Sequence, residues 1–74
     1  MLTEIKSIIA ELLDIDIDAI GDDYSAKDNA NWDSLMLLNL TTEIEEKFGV
    51  SIEPEDITEL TSIVSIQNCI NKYK

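Results

Sequence analysis

The stretch NWDSLMLLNLTTEIEEKFGV, residues 31–50, decides how the chain folds. Asp33 or Ser34 can satisfy the free amides of a helix start, and Gly49 supplies the left-handed stop at a helix end. The spacing between them predicts a helix running to Phe48. Leu35, Leu37, Leu38, Leu40, Ile44 and Phe48 are expected to form a broad buried face. Met36, Asn39, Glu43 and Glu46, at steps of 3, 4 and 3, are expected on the opposite face.

The flanking sequence completes an all-α fold. Leu2, Ile5, Ile8, Ile9, Leu12 and Leu13 recur at helical spacing and predict a first helix from about Thr3 to Leu13. Thr3 is its expected cap, and Glu4 suits its positive end. Asp14 to Ala30 has no period and predicts a long loop, pinned to the core by Ile15, Ile17, Ile20 and Tyr24. Loops longer than about 12–15 residues tend to be functional or disordered. Pro54 suits the first turn of a short helix over Glu55 to Thr58. No period runs from Glu59 to Val64. Ser65 is the expected cap of a last helix carrying Ile66, Cys69, Ile70 and Tyr73. The expected architecture is a small bundle of three main helices plus one short helix, forming a single domain over residues 1–74.

Composition narrows the functions open to such a bundle. At 74 residues there is little room for a deep cleft beside a core. His is absent and all five basic residues are Lys, which removes the commonest general base and a common metal ligand. The lone Cys69 allows neither an internal disulfide nor a CxxC site. An autonomous enzyme is therefore not expected. At 45% apolar residues the chain is not disordered either. Its net charge of −11 opposes binding to nucleic acid and to anionic membranes. That charge favours basic protein surfaces as partners, although it also serves plain solubility. The first residues have no basic n-region and no long apolar run, and nothing approaches the ~20 apolar residues of a membrane span. The expected protein is cytoplasmic and monomeric, with no membrane insertion.

Asp14, Asp16 and Asp18 imitate the first, third and fifth positions of an EF-hand loop. The sixth position, which requires Gly, is Ala19, and the twelfth, which requires Glu, is Ser25. A specific calcium site is not expected there, and no metal ligand set is assigned.

Ser34 is the residue with chemical promise. It stands between the long loop and the best helix, at the positive end of the helix dipole, where free amides favour a phosphate. A serine at such a place is ordinarily a cap. The alternative reading is an acidic helical protein-interaction module without a prosthetic group, with Ser34 as a cap only.

The run Asn31-Trp32-Asp33-Ser34-Leu35, followed by an amphipathic helix ending Glu45-Glu46-Lys47-Phe48-Gly49-Val50, resembles the acyl carrier protein family and its peptidyl carrier relatives. The likeness extends over nearly the whole chain. It implies that Ser34 accepts 4′-phosphopantetheine from coenzyme A, in a step catalysed with Mg²⁺ by a separate phosphopantetheinyl transferase. The arm's thiol would then hold acyl or aminoacyl groups as thioesters and present them to ligases or synthases with basic docking surfaces. Asp33 can help cap the helix, which could be its whole role, and the resemblance implies that it also helps place the metal during transfer. Trp32 is expected as an apolar anchor beside the site that could also contact partners. Leu35 is expected to pack at the helix start. With Met36, Asn39, Glu43 and Glu46, it would also belong to the partner-binding surface on the second helix. Family members of the fatty-acid type carry acidic residues where this chain has Met36 and Asn39. Docking is therefore expected to be partly apolar near Ser34 and electrostatic further along, toward Glu43, Glu45 and Glu46. The longer stretch from Asp56 to Ser65 is more similar to discrete carriers of polyketide, nonribosomal peptide or D-alanyl transfer.

Overall fold

A computed structural model describes residues 1–73. Four α-helices are present among them, α1 (Leu2–Leu13), α2 (Ser34–Phe48), α3 (Pro54–Ile57) and α4 (Ile63–Tyr73). The bundle is all-α, as the hydrophobic spacing predicts. Ile5 and Ile9 from α1, Leu40 and Ile44 from α2, Leu60 ahead of α4, and Ile63, Ile66 and Ile70 from α4 are completely buried. This aliphatic core fixes the helices on one another, with α1 lying against both α2 and α4.

The helix ends show how local chemistry sets the boundaries. α1 begins one residue earlier than expected, and Thr3 does not cap it. Met1 occupies the cap position without a side-chain hydrogen bond. At the other end Asp14 adopts a left-handed conformation (φ 55°). Its amide and that of Ile15 return to the carbonyls of Glu11 and Ala10, the usual way of closing the last carbonyls of a helix. Gly49 (φ 66°) does the same for α2, as expected. Pro54 opens α3. The start of α4 lies two residues before Ser65. The Ser62 hydroxyl accepts the Ser65 amide at 3.0 Å, and the Ser65 hydroxyl accepts the Ser62 amide at 3.0 Å. Ser65 is thus the reciprocal partner within the first turn rather than the cap itself.

The connection from α1 to α2 is more ordered than a plain loop. It holds two single-turn 3₁₀ helices, Ile17–Ala19 and Ala26–Asp28. Asp16 caps the first by accepting the Asp18 amide. Ser25 and Asp28 form a capping box around the second. Ile20 is buried and Ile15 and Tyr24 are half-buried, as expected of anchors. Ile17 is exposed and anchors nothing. Of the acidic residues that imitate an EF-hand, Asp14 and Asp16 occupy helix caps and Asp18 lies within the first 3₁₀ turn, and no cluster of metal-ligating side chains forms among the described residues. The connection is fastened to the segment before α4. The Ala26 amide donates to the Thr61 carbonyl at 2.8 Å, and the Ile63 amide donates to the Tyr24 carbonyl at 2.9 Å.

α3 is too short to be stable alone, and α4 helps hold it in place. Asp56, on α3, is buried and accepts two hydrogen bonds from the Lys72 ammonium at 3.0 and 3.1 Å. Tyr73 donates its hydroxyl to the same carboxylate and accepts the Glu53 amide at 3.1 Å. These two donors hold the Asp56 carboxyl below the usual carboxylate range, Tyr73 contributing most.

Candidate functional site

The site is the turn that enters α2. Trp32 determines where this turn sits. Its ring is only 6% exposed, and its indole N–H donates to the Leu60 carbonyl at 3.0 Å. The ring also stacks on Tyr24 at 6.3 Å between centroids. A buried indole needs such a polar partner, and here the partner belongs to the connection between α3 and α4. Asn29 tightens the approach by accepting the Asn31 amide at 2.9 Å and donating to the Tyr24 hydroxyl at 3.3 Å. Trp32 is thus an internal anchor, and its burial removes it from the set of partner-contacting residues.

With Trp32 fixed inside, the next two residues emerge at the surface. Asp33 is the cap of α2, its Oδ1 accepting the Met36 amide at 3.0 Å. Ser34 is the first helical residue. It is exposed, and its hydroxyl takes part in no side-chain hydrogen bond among the described residues. Asp33 therefore does the capping for which either residue was eligible. The amides of Ser34 and Leu35 precede the first intrahelical bond, which the Leu37 amide makes to Asp33. They remain directed out of the helix end, where the dipole favours negative charge. An exposed hydroxyl beside free amides fits a phosphodiester-linked group: the oxygen is accessible for attachment and the amides can face the phosphate.

The faces of α2 differ from the expected ones in three positions. Leu40 and Ile44 are buried, and Leu37 and Phe48 half-buried, as predicted. Met36, expected outward, is only 5% exposed. Leu35 and Leu38, expected inward, are 67% and 59% exposed. Rotation about the helix axis explains this. Met36 lies about 40° from Leu40, whereas Leu38 and Leu35 lie about 160° and 140° from it. A helix that buries Leu40 and Ile44 must bury Met36 and expose both leucines. Met36 thus leaves the candidate docking surface. Asn39 and Glu46 are exposed as expected, and Glu43 is half-buried. Glu45 serves another purpose, since its Oε2 accepts the Ile52 amide at 2.8 Å and ties the helix end to the segment before α3. Sequence reasoning missed Leu38 as a surface residue; the signal available was its near-opposition to Leu40.

The comparisons with known proteins agree with this geometry. The family model described as a phosphopantetheine attachment site matches residues 3–70. An acyl carrier protein of Petrotoga mobilis is 38% identical over 71 residues, which are 96% of this chain and 80% of that protein. The polyketide-8 synthase acyl carrier protein 2 of Streptomyces avermitilis is 30% identical over 60 residues, 81% of this chain and 69% of that protein. A non-reducing polyketide synthase of Emericella nidulans is 38% identical over 68 residues, 92% of this chain but 3% of that much longer protein. An exposed serine at the start of a helix in an all-α bundle and a match across almost the whole length of the chain lead to one conclusion: the chain belongs to the acyl carrier family of phosphopantetheine attachment-site domains, which hold acyl intermediates on that arm rather than catalyse their conversion.

Proposed function

We propose that Ser34 carries the phosphopantetheine arm and that the chain acts as one carrier unit around it. The observation that supports this is the division of labour at the α2 start. Asp33 satisfies the helix end, and Ser34 is left exposed, its hydroxyl without a side-chain hydrogen bond among the described residues. When bound, the arm supplies a thiol on a long flexible tether that holds acyl or aminoacyl groups. The protein supplies a fixed, accessible point of attachment. Trp32 keeps the turn in place through Leu60, and the amides of Ser34 and Leu35 face the position of a phosphate on Oγ. The Ser34 hydroxyl must lose its proton when the phosphate is attached. The chain contains no His, so the base belongs to the transferase.

Asp33 has a second role in this proposal. Its cap bond engages Oδ1, and the other carboxylate oxygen helps place the divalent cation that the transferase brings. Enzymes that load, modify or unload the arm approach over α2, where Leu35, Asn39, Glu43 and Glu46 border the route to Ser34.

The test is direct. The apo chain is incubated with coenzyme A, Mg²⁺ and a broad-specificity phosphopantetheinyl transferase, and its intact mass is recorded. The expected result is the gain of one phosphopantetheine, lost completely in Ser34→Ala. Unchanged mass in the wild type, or a gain that persists in Ser34→Ala, would remove Ser34 from this role.

A further inference from the structure

Arm attachment is demanding about where the Ser34 hydroxyl stands. In the transfer, Oγ gives its proton to the base of the transferase and bonds to the pantetheine-side phosphorus of coenzyme A, and the nucleotide half leaves. A misplacement of about 1 Å in such a step can cost about 100-fold in rate. Residues 29–33 lead into α2 outside any helix, so the position of Ser34 depends on what holds this short approach.

Asn29 gathers that approach. Its carbonyl accepts the Trp32 amide at 3.1 Å, and its Oδ1 accepts the Asn31 amide at 2.9 Å. Its Nδ2 donates to the Tyr24 hydroxyl at 3.3 Å. Tyr24 stacks on Trp32, and its carbonyl accepts the Ile63 amide at 2.9 Å. The contacts therefore close a ring through Asn29, Tyr24 and Trp32. The indole bond of Trp32 to the Leu60 carbonyl is one point of support, and a segment held at one point can still turn about it. Asn29 supplies the others. An Asn side chain offers one acceptor and one donor group, and in this half-buried residue both are used on the approach. Among the described residues its hydrogen bonds reach Asn31, Trp32 and Tyr24 and not Ser34, so its influence on the hydroxyl passes through the turn.

We propose that Asn29 is a positioning residue for arm attachment. By tying the Asn31 amide to the Tyr24 hydroxyl, it fixes the turn into α2 and holds Ser34 Oγ where the transferase can load it. This proposal rests on the assignment of the arm to Ser34. It adds to the Trp32 anchor a second, separable support, made by side chains of the connection between α1 and α2. That long connection then takes part in loading through its order rather than through contact with the arm.

The test measures kcat and KM for the chain at saturating coenzyme A, with intact mass as the readout, well below the melting temperature of each variant. Asn29→Ala should lower kcat about tenfold or more while KM changes by less than about threefold, because the loss falls on the transition state and not on docking. Tyr24→Phe keeps the ring on Trp32 and removes only the hydroxyl, and it should lower kcat about three- to fivefold. Asn29→Asp should stay within about twofold of wild type, since its carboxylate accepts the Asn31 amide and Tyr24 can turn its hydroxyl to donate to it. Ser62→Ala, which loses a cap elsewhere in the fold, is the comparator. A merely structural Asn29 would behave like it, with a lower melting temperature and wild-type kcat. In the apo chain, exchange of the Met36 amide, which the Asp33 cap protects, should speed up about fivefold or more in Asn29→Ala relative to that of Ile66 in α4. Wild-type kcat in folded Asn29→Ala would overturn the proposal, and so would a rise in KM alone, which would make Asn29 a contact of the transferase. An equal loss of kcat in Ser62→Ala would overturn it too, by assigning the effect to stability. If Asn29→Ala does not fold, Tyr24→Phe decides, and wild-type kcat there would overturn the proposal. Failure of the Ser34 assignment looks different: the wild type gains no mass, or Ser34→Ala still gains it. The proposal then falls with the assignment, while the exchange of Met36 still reports whether Asn29 holds the turn.

Discussion

Two helices of this bundle begin with serine chemistry, and they use it in opposite ways. At the start of α4 the hydroxyls of Ser62 and Ser65 are both consumed. Each accepts the other's amide, and Ser65 also accepts the Thr61 amide at 3.2 Å and donates to the Ser62 carbonyl at 3.0 Å. At the start of α2 the cap is an aspartate, and Ser34 stands one position later with its hydroxyl exposed. The contrast lies in the position of a serine relative to its cap, and the proposed attachment at Ser34 rests on it. A hydroxyl bound on several sides stabilises the fold, whereas one relieved of that duty is available for covalent chemistry.

The largest effects should come from the core on which both helix starts rest. Ile44 under α2 and Ile66 under α4 are fully buried. Truncation of either to Ala should cost about 2–5 kcal/mol, enough to unfold much of the population in a domain with a stability near the low end of about 5–15 kcal/mol. Urea denaturation measures both. A much smaller loss for Ile44→Ala than for Ile66→Ala would mean that α2, unlike α4, is held chiefly by its ends.

The caps come next. Asp33→Ala and Ser62→Ala should each cost about 0.5–2 kcal/mol, so thermal melting should place them close together. Arm loading should separate them. Ser62→Ala should load at the wild-type rate when folded, whereas Asp33→Ala should load more slowly. Asp33→Ser sharpens the comparison because it restores a capping oxygen without the carboxylate. Slow loading by a chain of wild-type stability would assign the defect to the lost carboxylate and not to a frayed helix.

The same contrast explains what could be read from the residues. The length of α2 was legible because Asp33 and Gly49 are unambiguous ends. Its facing was not, because residues 35–38 are all apolar and carry no internal period; only the deeper pair Leu40 and Ile44 sets the rotation. Ser62 was overlooked because Ser65 is equally able to cap, and the choice depends on the Tyr24 carbonyl that receives the Ile63 amide. The two 3₁₀ turns escaped because they are made by side-chain caps at Asp16 and Ser25 rather than by apolar spacing. Ser34 was legible from its place between loop and helix. Its freedom from side-chain hydrogen bonding among the described residues was not, since either Asp33 or Ser34 itself could have served as the cap. The anchoring of the site by Trp32 was visible as an apolar preference, while its distant partner, the Leu60 carbonyl, is a product of the tertiary fold.

A smaller effect is expected at the other end of α4, where Asp56 meets Lys72 and Tyr73. Asp56→Asn keeps an oxygen for Tyr73, so its cost at neutral pH should be less than that of losing a cap. Its signature is pH dependence. The Asp56 carboxyl titrates below its ordinary range, first because of the Tyr73 hydroxyl and then because of Lys72. It therefore contributes stability that is present above the unfolded carboxylate value and lost as pH falls through the lower folded value. Lys72 and Tyr73 titrate above their ordinary ranges, both mainly through Asp56. Their contribution is present below the unfolded values and lost as pH rises through the higher folded ones. Protonation of the other carboxylates relieves the repulsion of a −11 chain and acts in the opposite direction in acid. The quantity to measure is therefore the difference in melting temperature between wild type and Asp56→Asn across pH. It should shrink toward acid and again at strongly alkaline pH. A difference that stays constant would show that the clamp acts by packing alone.

The smallest effect on stability is the most informative. Ser34→Ala should alter unfolding free energy by no more than about 0.5 kcal/mol, the usual range for a surface change away from any cap or core contact. Ala is a better helix former than Ser, and the cap bond of Asp33 to Met36 is untouched, so the sign can even favour the variant. At the same time the variant should lose arm loading entirely. Ser65→Ala is the necessary companion, since it removes a hydroxyl of the same kind that has several hydrogen bonds, and it should destabilise without affecting attachment. If Ser34→Ala instead destabilised as much as Ser65→Ala, the hydroxyl would have a structural partner after all, and the two serines would no longer represent different uses of one side chain. A near-silent melt with complete loss of loading is the combination that a merely capping Ser34 cannot produce.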